Sequence, residues 1–177
     1  MKRLTVILIG FFALATVLSA ASANGPYGIT LGEDITVSIK KIESMEGVFK
    51  VGEFEVQDAK LRTYAIGDSP RNPIANLGLY SVDDELVWWT IGSQNSSIAF
   101  TIARELYKDQ SFETYQESAW LVTEDAFIAI TPDYRHEGLY IHGFSIAFAE
   151  SKKNIWITGQ YNALRSAYDA YLKYVKN

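Results

Sequence analysis

The residues with the most chemical reach lie close together. The stretch TPDYRHEGLYIHGF, Thr131 to Phe144, holds both histidines of the chain, His136 and His142, with Asp133 and Glu137 beside them. A histidine next to carboxylates can pass protons, and imidazole with carboxylate can ligate zinc. Zinc takes three or four ligands, and two imidazoles share a helical face at i and i+4. His136, Glu137 and then His142 fit no helical pair. The alternation around His142 reads instead as strand, in which Tyr140, His142, Phe144, Ile146 and Phe148 would share one aromatic face. The spacing therefore predicts a neutral core or rim histidine at position 142. It leaves His136, Glu137 and Asp133 as the catalytic candidates and His136 with His142 as the metal candidates. No cofactor is implied.

Three other groups carry side chains with possible chemistry. HGFSIA, His142 to Ala147, is a near miss to the G-x-S-x-G nucleophile elbow, which needs a sharp strand-to-helix turn at the serine. The pattern puts Ser145 in mid-strand, among small residues that let a helix approach the sheet. Asp83-Asp84-Glu85 and Glu124-Asp125 read as acidic turn tips, and no D-x-D-x-D-G calcium loop exists. Trp88 and Trp89 are neighbours on a strand, so their indoles must face opposite ways. A solvated sheet face would expose one of them to sugars, peptides or a protein surface, whereas a sheet covered on both faces would bury both. Tyr161 and Tyr174 raise the same question on the last predicted helix. No glycine loop that cradles phosphate is present.

The elements that position these residues are legible in outline. DITVSIKK, from Asp34, alternates with period two and is read as strand in preference to a helix with Ile35, Ile39 and Ile42 on one face. GVFKVGEFEVQ and KLRTYAI continue the alternation as a β-meander. Residues 67–77, GDSPRNPIANL, form a proline-bearing loop and a sub-region boundary. LYSV and ELVWWTI flank Asp83-Asp84 as a hairpin, and AWLVT and AFIAIT flank Glu124-Asp125 as a second, a faint internal echo. A helix is expected over about residues 95–107, capped by Asn95 or Ser96, then a long strand from Leu139 to Ala149. The last helix, about 158–175, carries Leu164, Tyr168, Tyr171, Leu172 and Val175 at helical period. The predicted class is α+β: a mainly antiparallel sheet with an N-terminal β-meander and two helices packed on it.

The chain begins MKRLTVILIGFFALATVLSAASANG. Lys2 and Arg3 precede an apolar run, Leu4 to Leu18, and Ala21-Ser22-Ala23 supplies the small residues a signal peptidase reads. The run is shorter than the ~20 residues of a membrane-spanning helix. An uncleaved anchor is the competing reading. Cleavage after Ala23 removes 23 of the 177 residues and leaves a single domain of 154, residues 24–177. Loss of Lys2 and Arg3 takes the formal charge from −5 to −7. That sign and the absence of basic runs disfavour nucleic acid and anionic membrane as partners. With no cysteine, the mature chain lacks disulfides, thiolate metal sites and cysteine-linked lipid. The expectation is an exported, soluble, non-enzymatic protein, periplasmic or extracellular. It would bind a protein partner or envelope component through an aromatic-bearing surface, with Trp88, Trp89, Tyr161 and Tyr174 as the binding residues. A carbohydrate or small-ligand binder is the alternative, followed by a hydrolase or metal site at Asp133–His142.

Overall fold

The computed structural model describes residues 25–56, 59–71, 73–108, 110–115, 118–133, 138–148, 150, 169 and 172–173. Its strands are β1 (Val48–Val56), β2 (Ala59–Ile66), β3 (Ala75–Val82), β4 (Glu85–Ser93), β5 (Glu113–Tyr115), β6 (Ser118–Val122), β7 (Ala126–Asp133) and β8 (Gly138–Ser145). They form one antiparallel sheet in the order β1-β2-β3-β4-β8-β7-β6-β5. Helices α1 (Ile35–Glu43) and α2 (Ser96–Leu106) accompany it. The class is the expected α+β, with the N-terminal meander spanning β1 to β4. Each half of the chain runs as a helix followed by four strands, and the halves meet where β4 pairs with β8.

Residues 35–43 correct the sequence reading: they form a helix, not a strand. Asp34 caps it, its carboxylate accepting from the Thr36 amide at 2.7 Å and the Thr36 hydroxyl at 2.6 Å. Ile35, Ser38 and Ile42 are buried along one helical face, with Lys40 and Lys41 at the C-terminal end that favours cations. Burial of that stripe outweighs the β-branched residues' modest preference for strand.

The hairpin between β3 and β4 forms where expected. Asp83 (φ 51°) and Asp84 (φ 61°) both take left-handed backbone, the mirror-image type I turn whose twist matches the flanking strands. Asn95 caps α2 through its side-chain oxygen, 3.0 Å from the Ser97 amide. The loop at 67–74 joins two strands of the same sheet, since Ile66 pairs with Ala75. A second correction concerns β8, which ends at Ser145; Ile146, Ala147 and Phe148 are helical. The expected 158–175 helix lies outside the described residues apart from Asp169, Leu172 and Lys173, which are helical.

Both faces of the sheet are buried at its central strands, β3, β4, β8 and β7. One face packs Tyr64, Leu77, Leu79, Trp89, Ile91, Ile128 and Ile141 under α1, α2 and the N-terminal segment carrying Ile29 and Leu31. The other joins Leu61, Tyr80, Trp88, Trp120, Phe127, Phe144 and Phe148, with Leu172 packed against them. Burial of each such large side chain contributes on the order of 1.5–3 kcal/mol. No helix among the described residues is long and apolar enough to cross a membrane.

Candidate functional site

His142 sits at the centre of the second face, in a row where Thr90, His142 and Ala129 stand opposite one another on β4, β8 and β7. It is fully buried, stacked on Tyr140 (5.7 Å between ring centroids, 19° between planes) and 6.0 Å from the ring centroid of Trp88. Its Nε2 lies 3.2 Å from the Thr131 hydroxyl, while Nδ1 and the neighbouring Thr90 hydroxyl have no hydrogen-bond partner among the described residues. Burial pushes its pKa down to about 3, so the ring is neutral near pH 7. Its burial in the aromatic face is the core position expected, and the hydroxyl it meets belongs to a threonine. Among the described residues no three His, Asp or Glu side chains converge on a point that would hold a metal. Asp133 ends β7 opposite Gly138. His136 and Glu137, like Tyr161 and Tyr174, lie outside the described residues.

The two tryptophans face opposite ways as their spacing requires, but both are core. Trp88 is 1% exposed against Tyr80 (ring centroids 3.7 Å apart), and Trp89 is 0% exposed in the other cluster. Neither indole offers surface to a partner in this conformation, because both faces of β4 are covered.

The structure brings together residues that the sequence kept apart. The β7–β8 register sets Ala126 against Ser145, and the Ile146 amide donates to the Asp125 carbonyl at 3.0 Å. Glu124, Asp125 and Ser145 thereby meet Leu31, Gly32 and Glu150 around an open cleft of about 400 Å³. Ser145 stands at a strand-to-helix junction after all, not in mid-strand. Its hydroxyl accepts from the Phe148 amide at 3.3 Å, the bond of a helix cap, and among the described residues no imidazole lines the cleft to activate it. The cleft presents carboxylates and a hydroxyl, a lining suited to cations or to sugar hydroxyls.

Exposed apolar side chains lie elsewhere. Val51 and Phe54 on the outer strand β1 are 61% and 54% exposed, and Phe100 on α2 is 56% exposed. Lys50, Glu53 and Glu55 surround the first two. The expected meander strand GVFKVGEFEVQ forms as β1, and the sheet order makes it an edge, which its alternation alone does not reveal.

No family model matches the chain, and no curated protein matches it. Among solved structures, a cysteine-rich secretory protein from Staphylococcus aureus subsp. aureus Mu50 is similar, with 10% identity over 75% of this chain and 52% of that one, at a TM-score of 0.36. The chain thus spans about half the length of that protein, and a likeness of this size assigns neither activity nor partner.

Proposed function

We propose that this chain is an exported, non-enzymatic binding protein that meets a protein partner or envelope component along the outer edge of its sheet. The observation that carries the reading is the pair Val51 and Phe54, more than half exposed on edge strand β1. An edge strand has backbone donors and acceptors free to pair with an added strand, and apolar side chains beside it supply anchor pockets or knobs. The aromatic-bearing surface is thereby moved from Trp88 and Trp89 to Phe54. Export is supported by Lys2 and Arg3, the apolar run after them and Ala21-Ser22-Ala23. The test is retention of the mature protein on isolated cell envelopes of the source organism. The wild type is expected to co-sediment, and Val51→Lys with Phe54→Glu to weaken retention by tenfold or more, the scale of an interface anchor. Equal retention of the two would move the interface elsewhere.

The acidic cleft favours a second reading, a binder of small cationic or polyhydroxyl ligands. A thermal-shift screen with amines, divalent ions and sugars tests it, since a ligand of the folded state raises the melting temperature by mass action. The rise should vanish in Glu124→Gln with Asp125→Asn.

A further inference from the structure

We infer that the occupant of the β1 edge is a polypeptide strand in which basic and apolar residues alternate, added antiparallel along residues 52–56. The inference rests on the edge reading above and names the chemistry of the partner. Among the described residues no strand pairs with β1 on its outer side. Only part of that side suits an added strand. The register with β2 slips between Lys50 and Gly52, which makes Val51 the extra residue of a bulge. A bulge bends an edge and ends pairing, and a lysine on an edge guards its backbone against strand addition. Lys50 and the bulge at Val51 both stand in the first half of β1. Residues 52–56 follow them, paired with β2 in unbroken register.

The two faces of this stretch call for different side chains. Successive residues point to opposite faces, so Glu53 and Glu55 line one and Gly52 and Phe54 the other. On the inner side β2 shows what satisfies the row. Lys60 stands opposite Glu55, Leu61 opposite Phe54, Arg62 opposite Glu53 and Thr63 opposite Gly52. The Arg62 guanidinium reaches the Glu53 carboxylate at 3.3 Å, and Leu61 is buried. Toward the outer side Phe54 remains more than half exposed, and Glu55 is exposed. The Phe54 ring also lies back along the strand, since a methyl on Gly52 would stand 3.0 Å from its Cε2 and Cζ. One ring thereby covers two positions of the apolar face, and an incoming aliphatic side chain meets its flat surface.

Unlike charges directly opposed on an antiparallel pair stabilise it, and like charges disfavour it. An added strand lies one strand spacing, about 4.8 Å, from β1 and twice as far from β2. It therefore meets the carboxylates of β1 ahead of Lys60 and Arg62. Glu53 is already held by Lys50 at 3.1 Å and Arg62 at 3.3 Å, so Glu55 sets the choice most sharply. The edge thus selects lysine or arginine at alternate positions with an aliphatic residue between them. A regular row of amides at strand spacing, which a polypeptide supplies, fixes that alternation.

The test is titration of the isotope-labelled protein with short peptides, read from the amide shifts of β1. The first probe carries the β2 pattern, AKLRT, between Gly-Ser linkers; the second, AELRT, differs only at the residue that would face Glu55. The wild type is expected to bind the first about fivefold more tightly, with shifts concentrated on residues 52–56. Glu55→Lys should invert that preference, an outcome that the overall negative charge of the chain does not produce. Should that variant not fold, the wild-type preference alone decides. A third probe, AKPRT, lacks a backbone donor at its centre and should not bind. Equal binding of the first two probes overturns the inference, as does binding of the proline probe as tight as that of AKLRT. Absence of binding by every probe overturns it too, and the envelope assay above then judges the edge reading separately. Lost retention of Val51→Lys with Phe54→Glu would keep the edge as the interface for another kind of occupant; unchanged retention would remove both readings.

Discussion

Trp89 is held between two glycines, and the contact explains both. Gly143 is its cross-strand partner on β8, and a methyl added there would lie 2.5 Å from Trp89 Cε2 and 2.6 Å from Nε1. Gly25 meets the same indole from the N-terminal segment. An aromatic ring lying over a strand glycine covers backbone that a side chain would otherwise shield. Gly143→Ala forces the indole off its rotamer or the strands apart, and overpacking of this kind costs about 1–3 kcal/mol. The urea midpoint should fall accordingly with the slope of the transition unchanged; an unaltered midpoint would show that the ring has room to shift. That Trp88 and Trp89 face opposite ways was legible from their adjacency. Their burial was not, because the covers of the two faces come from segments far away in sequence: Ile29 on one side, Phe148 and Leu172 on the other.

At the scale of elements, caps and turns decide what the local pattern leaves open. Residues 35–43 carry both an alternating and a helical apolar pattern, and the Asp34 cap was the unread signal that selects the helix. Lys41 also ties this helix to the N-terminal segment through Glu33, 2.6 Å away. Burial alone would raise the Glu33 carboxyl, but Lys41, the Ser38 hydroxyl and the Thr30 amide outweigh it and hold the group below its usual range. For α2 the cap was legible, and its removal is measurable: Asn95→Ala should lower stability by about 0.5–2 kcal/mol, seen as a lower melting temperature. The opposite sign is expected at the β3–β4 turn. Asp84 occupies a left-handed position that glycine adopts without a Cβ penalty, and Asp-Gly is a favoured pair for this turn. Asp84→Gly should therefore raise the melting temperature, by the equivalent of about 0.5–1 kcal/mol once glycine's larger unfolded-state entropy is set against the relieved left-handed cost. A fall would mean that the aspartate side chain contributes more than its backbone conformation costs. The same hairpin logic placed Glu124 and Asp125 at a turn tip. What it did not reveal was Ser145 beside them, because that neighbour is set by the β7–β8 register across some twenty residues of chain.

For the molecule as a whole, strand alternation was enough to give the class, whereas the sheet order and the cover of both faces arise from pairings that no local window contains. Two-sided cover has a consequence in acid. His142 is sealed at the centre of the second face among Trp88, Tyr140, Thr90 and Thr131, none of them charged. Burial lowers its pKa from the ordinary 6.5 to about 3. The unfolded chain therefore binds a proton at this position between those two values while the folded chain does not. Stability from this residue is complete above pH 6.5 and drains as pH falls toward 3. At pH 5 the loss is about 2 kcal/mol relative to pH 7.5. The measurement is a series of urea denaturations across pH 7.5 to 5 on the wild type and on His142→Gln. The difference between the two curves removes the contribution of His136 and of every carboxylate. Wild type should lose stability steadily over that window, and the variant, whatever its absolute stability, should lose about 2 kcal/mol less. Parallel curves would mean that water reaches the ring and that the second face opens in the native state.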